Sequence, residues 1–302
     1  MLFYVEYNVR LFFYLLFVRT DAFCAIDLDT ILPVYFAASI RNKTKVYDAH
    51  ELFTEQKEIV TRKKIHKFWL AIEKFTVPKF EKGYTVNTFI QAEFYRRYQV
   101  NYNIVRNLPV RKDLIQSNKF DVPTIIYQGA VNEGRSFETL IPAMKQVNAQ
   151  LLICGTGNFI EQAKQLTQYH QLNDKVIFKG SVQPAELQII TTKAHIGVTL
   201  FEQTGLNQYY SLANRFFDYF MAGIPQVCVD YPEYRAINEY WNFALLIDNT
   251  SEQSIAEALN KLLSNAVLYT TLQKNALIAR EQLNWQEEEK KLVQFWHNTF
   301  IN

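Results

Sequence analysis

Residues 124–157 read TIIYQGAVNEGRSFETLIPAMKQVNAQLLICGTG, and this stretch decides the fold. Residues 124–127 are a short apolar run ending at Gln128-Gly129. Phe137, Leu140, Ile141, Met144 and Val147 then recur at helical spacing, and 150–154 is a second apolar run closed by Gly155-Thr156-Gly157. Strand, helix and strand in so short a length make one βαβ unit. The alternation continues, with strands expected at 176–179, 195–200, 225–230 and 244–248 and helices at 184–193, 211–222, 232–240 and 251–263. Apolar strands alternating with helices imply a parallel sheet covered on both faces, hence a doubly wound, Rossmann-like domain.

Working outward, the first half shows the same grammar less completely. Helices are expected at 8–18, 30–40, 55–80 and 90–98, and strands at 21–26, 44–47, 83–86 and 103–107. Residues 110–122 are polar, end at Pro123 and read as a linker. The fold class expected is therefore α/β, with two Rossmann-like domains: 1–120, then 121–284, with 285–302 as a terminal helical segment.

Composition supports a packed, two-part molecule. Of 302 residues, 49% are hydrophobic and 15% aromatic, which excludes disordered and low-complexity classes. The net charge is only +2, yet residues 1–120 carry 19 basic and 12 acidic side chains while residues 121–302 carry 13 and 18. Cys24, Cys154 and Cys228 lie far apart in apolar runs, so buried reduced thiols are expected and no metal site. The longest apolar run, 11–18, is too short to span a bilayer, lacks a signal-peptide cleavage site and reads as a buried helix. A cytoplasmic protein is the expectation.

In an open α/β sheet, ligands bind beyond the carboxyl ends of the strands, where helix N-termini favour phosphate. Gly129 ends the first strand of the second half, and Arg135 follows where a guanidinium can grip a diphosphate bidentately. Gly155 and Gly157 permit either a tight turn or the close approach of a flat base. Ser211 is placed to cap the next helix, exposing the N–H groups of Ala213 and Asn214 to a phosphate. Asp218, about one turn on, is a candidate acceptor for ribose hydroxyls.

These stretches carry a resemblance. Tyr127-Gln128-Gly129 with Arg135, residues 151–157, and the run from Ser211 to Tyr219 followed by Ala222-Gly223-Ile224-Pro225 are similar to the donor half of GT-B glycosyltransferases. The resemblance is strongest to family 4, the retaining "group 1" transferases. Asp27-Leu28-Asp29-Thr30, the run from Asp48 to Phe53, and Asn107-Leu108-Pro109 resemble the same family in the first half. The resemblance implies a UDP- or GDP-sugar donor as substrate, no cofactor, no essential metal, and a glycan or lipid-linked acceptor at the interdomain cleft. It makes Arg135 the diphosphate partner and Asp218 the ribose ligand. Asp218 matches the second acid of the family's E-x7-E motif, whose first position is Tyr210 here. Ala213, Asn214 and Arg215 match an S-L-P-[NS]-K variant, with alanine for proline and arginine for lysine. His50 and Glu51 are the first-domain candidates nearest the chemistry, and Trp285 with the helix after it resembles the segment that crosses back to the first domain.

A family member's first domain opens with a strand, a glycine-rich loop and a helix, whereas residues 1–82 contain no glycine. The N-terminal domain is therefore expected to be incomplete. The second reading is a nucleotide-sugar-binding or partner subunit of a glycan-assembly system that no longer transfers; the third is an epimerase of the GT-B-like type. Arg62, Lys63, Lys64 and Lys67, beside Phe68 and Trp69, read either as a solvated helix face or as a contact with anionic lipid at the inner membrane face. No nucleic-acid module accompanies the patch.

Overall fold

The computed structural model describes residues 2–203 and 205–301. The chain ends Met1 and Asn302, used above as domain bounds, lie outside the described residues. Two compact units result: unit 1 is Met1–Asn107, Gly205–Ser211 and Glu288–Asn302, and unit 2 is Leu108–Thr204 and Leu212–Glu287.

Unit 1 opens with α1 (Leu2–Phe17), β1 (Ala22–Ile26), α2 (Ile31–Ile40) and β2 (Thr44–Ala49). It continues with α3 (Lys57–Val60), α4 (Lys63–Thr76), β3 (Lys82–Thr85), α5 (Thr88–Tyr98) and β4 (Asn103–Ile104). The four strands lie in sequence order and are all parallel. Tyr47, Phe80, Phe94 and Tyr102 fill the core beneath them, each at most 2% exposed.

Two expectations are corrected in this unit. The single helix expected over 55–80 is broken, because Gln56 (ψ 141°) and Arg62 (ψ 82°) leave the helical basin. The carboxylate of Glu55, just before the break, is held by Arg97 at 2.7 Å. The strand expected over 103–107 is two residues long, since the N–H of Arg106 turns to Glu288 (2.8 Å) instead of a ladder partner.

Unit 2 comprises β5 (Thr124–Gln128), α6 (Phe137–Ala143), β6 (Gln150–Cys154), α7 (Ile160–Tyr169), β7 (Val176–Gly180), α8 (Pro184–Lys193) and β8 (Ile196–Thr199). The short α9 (Leu206–Tyr209) belongs to unit 1. Unit 2 resumes with α10 (Asn214–Met221), β9 (Gln226–Val229), α11 (Pro232–Trp241), β10 (Ala244–Ile247), α12 (Glu252–Ser264) and α13 (Ala266–Ala279). α14 (Trp285–Ile301) starts in unit 2, but from Glu288 onward it belongs to unit 1. There Phe295 meets Tyr84 edge to face at 5.1 Å, and the Thr299 carbonyl accepts from Lys82 (3.1 Å).

The six strands of unit 2 are parallel in the order β10-β9-β8-β5-β6-β7. Counted from β5, this is the Rossmann order, which reverses between β5 and β8 and opens a crevice there. The polar stretch 110–122 contains no helix or strand, but it is no free linker. Lys119 donates to the carbonyls of Thr192 and Ala194 (2.9 and 2.7 Å), and Phe120 packs on the core. The unit boundary accordingly falls after Asn107 rather than at residue 120.

Candidate functional site

The reversal point of the unit 2 sheet gathers side chains from three segments. Arg135 comes from the loop after β5, Phe201 from the loop after β8, and Arg215 from the first turn of α10. Both guanidinium groups lie over the Phe201 ring, Arg135 at 4.4 Å and Arg215 at 4.6 Å from its centroid. Arg215 also covers Tyr127 at 4.7 Å and donates to its hydroxyl (3.1 Å). The π faces give two like charges a common platform.

Arg215 is 7% exposed, and its Nε and Nη2 are buried without a hydrogen-bond partner. A buried cation with idle donors is costly unless an anion completes it. At Gly129 an added Cβ would sit 3.4 Å from Arg215 Nη1, so the bare backbone leaves room beside the guanidinium. Phe201 is the residue that sequence reasoning missed; its only signal is an aromatic just past a strand end.

The two glycine turns are stitched to one another. Gly129 N–H donates to Cys154 O and Val131 N–H to Thr156 O (both 3.0 Å), while Asn132 Oδ1 accepts from the Asn158 N–H and Asn158 Oδ1 from the Glu133 N–H (both 3.1 Å). A Cβ on Gly155 would lie 1.8 Å from the Gly129 carbonyl oxygen, and one on Gly157 2.3 Å from that of Val131. Both glycines therefore serve contact between neighbouring loops, which fixes the loop that carries Arg135.

The helix expected from 211 begins instead at Asn214, with Ala213 at its N-cap and no side-chain cap. Ser211 falls in the segment that belongs to unit 1. The N–H of Ala213 is not idle, as it donates to the Tyr234 hydroxyl (3.0 Å), while Asn214 is exposed.

Asp218 lies one turn beyond Arg215 and accepts from Gln128 Nε2 (2.9 Å), whose Oε1 accepts from Thr191 (2.7 Å). Together they line a cavity of about 170 Å³ with Pro109, Leu114 and Met221. Burial pushes the Asp218 carboxyl up to about 6, against the Gln128 hydrogen bond and the Arg215 charge, which favour ionisation. An acid whose folded value is raised stabilises the fold below its unfolded value of about 3.9 and loses that contribution as pH rises through about 6. Asp218→Asn is thus expected to stabilise unit 2 at pH 8 by on the order of 2 kcal/mol and to change little at pH 4. Thermal melts at the two pH values check this; equal shifts at both would contradict it.

The remaining candidates belong to unit 1. His50 and Glu51 follow β2, where Asp27 accepts from the His50 N–H (3.0 Å) and His50 Nε2 meets Asp48 at 3.1 Å. That contact with Asp48 raises the imidazole above its ordinary value. Burial raises Glu51, which accepts from Gln56 and from Asn207 Nδ2 (3.1 Å). Asn207 also accepts from the Leu52 N–H (3.0 Å), so one amide closes the turn from both sides. Tyr210 stacks on Phe89 (5.4 Å, 9°), and its carbonyl accepts from Asn87 (2.6 Å), grouping it with unit 1 rather than with Arg135, Arg215 and Asp218. Among the described residues, no group of three or more His, Cys, Asp or Glu is placed to hold a metal ion.

Residues 110–278 match the model of the family described as "Glycosyl transferases group 1". A search of the curated proteins finds no match. Among solved structures, the chain is similar to sucrose-phosphate synthase from Thermosynechococcus elongatus, with 17% identity, 99% of this chain and 77% of that chain covered, and a TM-score of 0.78. It is also similar to Anabaena HepE in complex with UDP and glucose, with 12% identity, coverage of 97% and 81%, and a TM-score of 0.79. A third is a variant of S. aureus TarM in a complex that includes UDP, with 16% identity, coverage of 97% and 58%, and a TM-score of 0.75.

Proposed function

The chain belongs to the group 1 glycosyl transferases, and on that basis we propose that it moves a sugar, with retention of configuration, from a UDP-sugar to a glycan or lipid-linked acceptor in polysaccharide biosynthesis. The convergence of Arg135 and Arg215 on Phe201, with idle donors on Arg215, is the observation that carries this reading. The names of two similar structures include UDP, which makes it the first nucleotide to test.

Negative charge develops on the leaving diphosphate as the glycosidic bond breaks. Two guanidinium groups fixed in a site shielded from water stabilise that charge without a metal ion. The departing phosphate oxygen then takes the acceptor's proton on the same face, so no separate protein base is required. Asp218 is assigned to the ribose, which would replace Gln128 as a donor to the carboxylate. His50 and Glu51 are assigned to the sugar and acceptor side, and Arg62, Lys63, Lys64 and Lys67 to a peripheral contact with anionic membrane.

Calorimetric titration with UDP, GDP and ADP in the presence of EDTA tests the donor half of the reading, followed by hydrolysis of the matching nucleotide-sugar. Binding of UDP in preference to ADP, undiminished by EDTA, is expected. Absence of binding by all three at millimolar concentration would sink it.

A further inference from the structure

α1 has the sequence LFYVEYNVRLFFYLLF, in which Glu6 and Arg10 are the only charges and pair with each other at 2.6 Å. A helix apolar on all sides is ordinarily buried in a core or a membrane. The expectation of a buried helix over 11–18 is corrected here: not one residue from Phe3 to Phe17 is buried, and Phe3, Phe13, Tyr14 and Phe17 are each more than half exposed. Among the described residues, no helix is long and apolar enough to cross a membrane. So large an apolar surface marks an interaction site.

Beside α1 lies a groove of about 720 Å³, walled by α1, α2 and α4. Tyr4, Phe12, Phe36, Ile65, Trp69 and Ile72 line it, and its charged lining residues are the exposed Arg62 and Glu58. Trp69 forms part of the floor, 8% exposed and edge to face with Tyr4 and Phe53. Lys63, Lys64 and Lys67 stand exposed on the first turns of α4, next to Arg62. An apolar slot with Arg62 in its lining, and three more exposed cations on the helix that follows Arg62, complements a hydrocarbon chain carrying an anionic phosphate head. A second copy of the chain would bring the same four cations with it.

We infer that α1 lies in the surface of a bilayer containing anionic phospholipid and that one acyl chain of such a lipid occupies the α1–α2–α4 groove. The inference deepens the reading of a lipid-linked acceptor proposed above: the enzyme would meet its acceptor at the leaflet that holds it.

Trp69 supplies a local probe. Vesicles of phosphatidylglycerol with brominated acyl chains are expected to quench tryptophan emission, and Trp69→Phe to remove most of that quenching. Phosphatidylcholine vesicles with the same chains are expected to bind weakly. Reversing Arg62, Lys63 and Lys64 together to Glu is expected to lower partitioning onto phosphatidylglycerol by about a hundredfold or more. Phe36→Asp, an exposed position that leaves the core intact, is expected to abolish Trp69 quenching while the charge-driven adsorption persists. Equal binding to both lipids overturns the inference, as does quenching that survives Phe36→Asp. Self-association that covers α1 without vesicle binding overturns it too. UDP titration of the same preparations separates the two proposals. UDP binding without vesicle binding defeats this one alone, and vesicle binding without UDP binding defeats the donor reading alone.

Discussion

Arg215→Met is expected to weaken UDP binding by at least about a hundredfold and, in the absence of nucleotide, to leave the melting temperature unchanged or higher. The two effects have one cause. Arg215 is buried, and its Nε and Nη2 have no partner, so the free protein bears the cost of a desolvated, half-satisfied charge. An unbranched apolar side chain of similar reach removes that cost and still covers Tyr127 and Phe201. The Tyr127 hydroxyl is not stranded, because it still donates to the Ala130 carbonyl at 2.6 Å. Binding suffers because each charge-assisted hydrogen bond to a diphosphate contributes roughly 1.5–3 kcal/mol, and two are lost. Calorimetry with UDP and a thermal melt of the same sample measure both sides. A variant that melts several degrees lower and binds UDP as before would make Arg215 a structural residue and remove the main support for the donor site.

That combination explains which parts of the molecule were legible beforehand. The central strands of unit 2, β5, β6, β8 and β9, are buried on both faces, so each appears in the sequence as a mainly apolar run, and glycine marks where β5 and β6 stop. The strand at 150–154 has its expected ends for that reason. Arg135 stands out in the sequence as a cation near a helix start after a strand, and Arg215 through the family resemblance; the structure brings both over one ring. Phe201 does not stand out, since its role comes from two arginines distant in sequence, and nothing local distinguishes it from a core aromatic. The same limit applies to residues 205–211. The run up to Ser211 has the form of a helix cap, but Asn207 and Tyr210 bond and stack with residues of unit 1, more than 100 positions away in sequence. Only the fold reveals that excursion. The break in the 55–80 segment was hidden in the same way, because the partner of Glu55 is Arg97 on another helix. α13 was missed altogether; apolar residues are spread around it without a clear stripe, and only Leu272, Ala276 and Ala279 are buried.

Gly155→Ala is expected to cost unit 2 about 3 kcal/mol or more, because the added methyl meets backbone rather than a movable side chain. Its Cβ would lie 1.8 Å from the Gly129 carbonyl oxygen and 2.9 Å from the carbon behind it. Overpacking of this kind typically costs about 1–3 kcal/mol even where side chains can yield. Here relief requires the loops after β5 and β6 to part, which breaks the bond from Gly129 N–H to Cys154 O. For a domain of this size the loss corresponds to a fall in melting temperature of roughly 6–12 °C. Gly180→Ala is the matched control. Gly180 has φ +71°, but an added Cβ finds nothing within 4 Å, so only the conformational cost of roughly 1–2 kcal/mol remains. Equal falls in both variants would mean that backbone conformation, not loop contact, accounts for the glycine at 155. A larger fall in Gly155→Ala, with weaker UDP binding at temperatures where it is still folded, would tie the glycine turn to the donor site through the loop that holds Arg135 over Phe201. In that case the glycines after β6 act on the nucleotide at one remove, by fixing the cation that grips it.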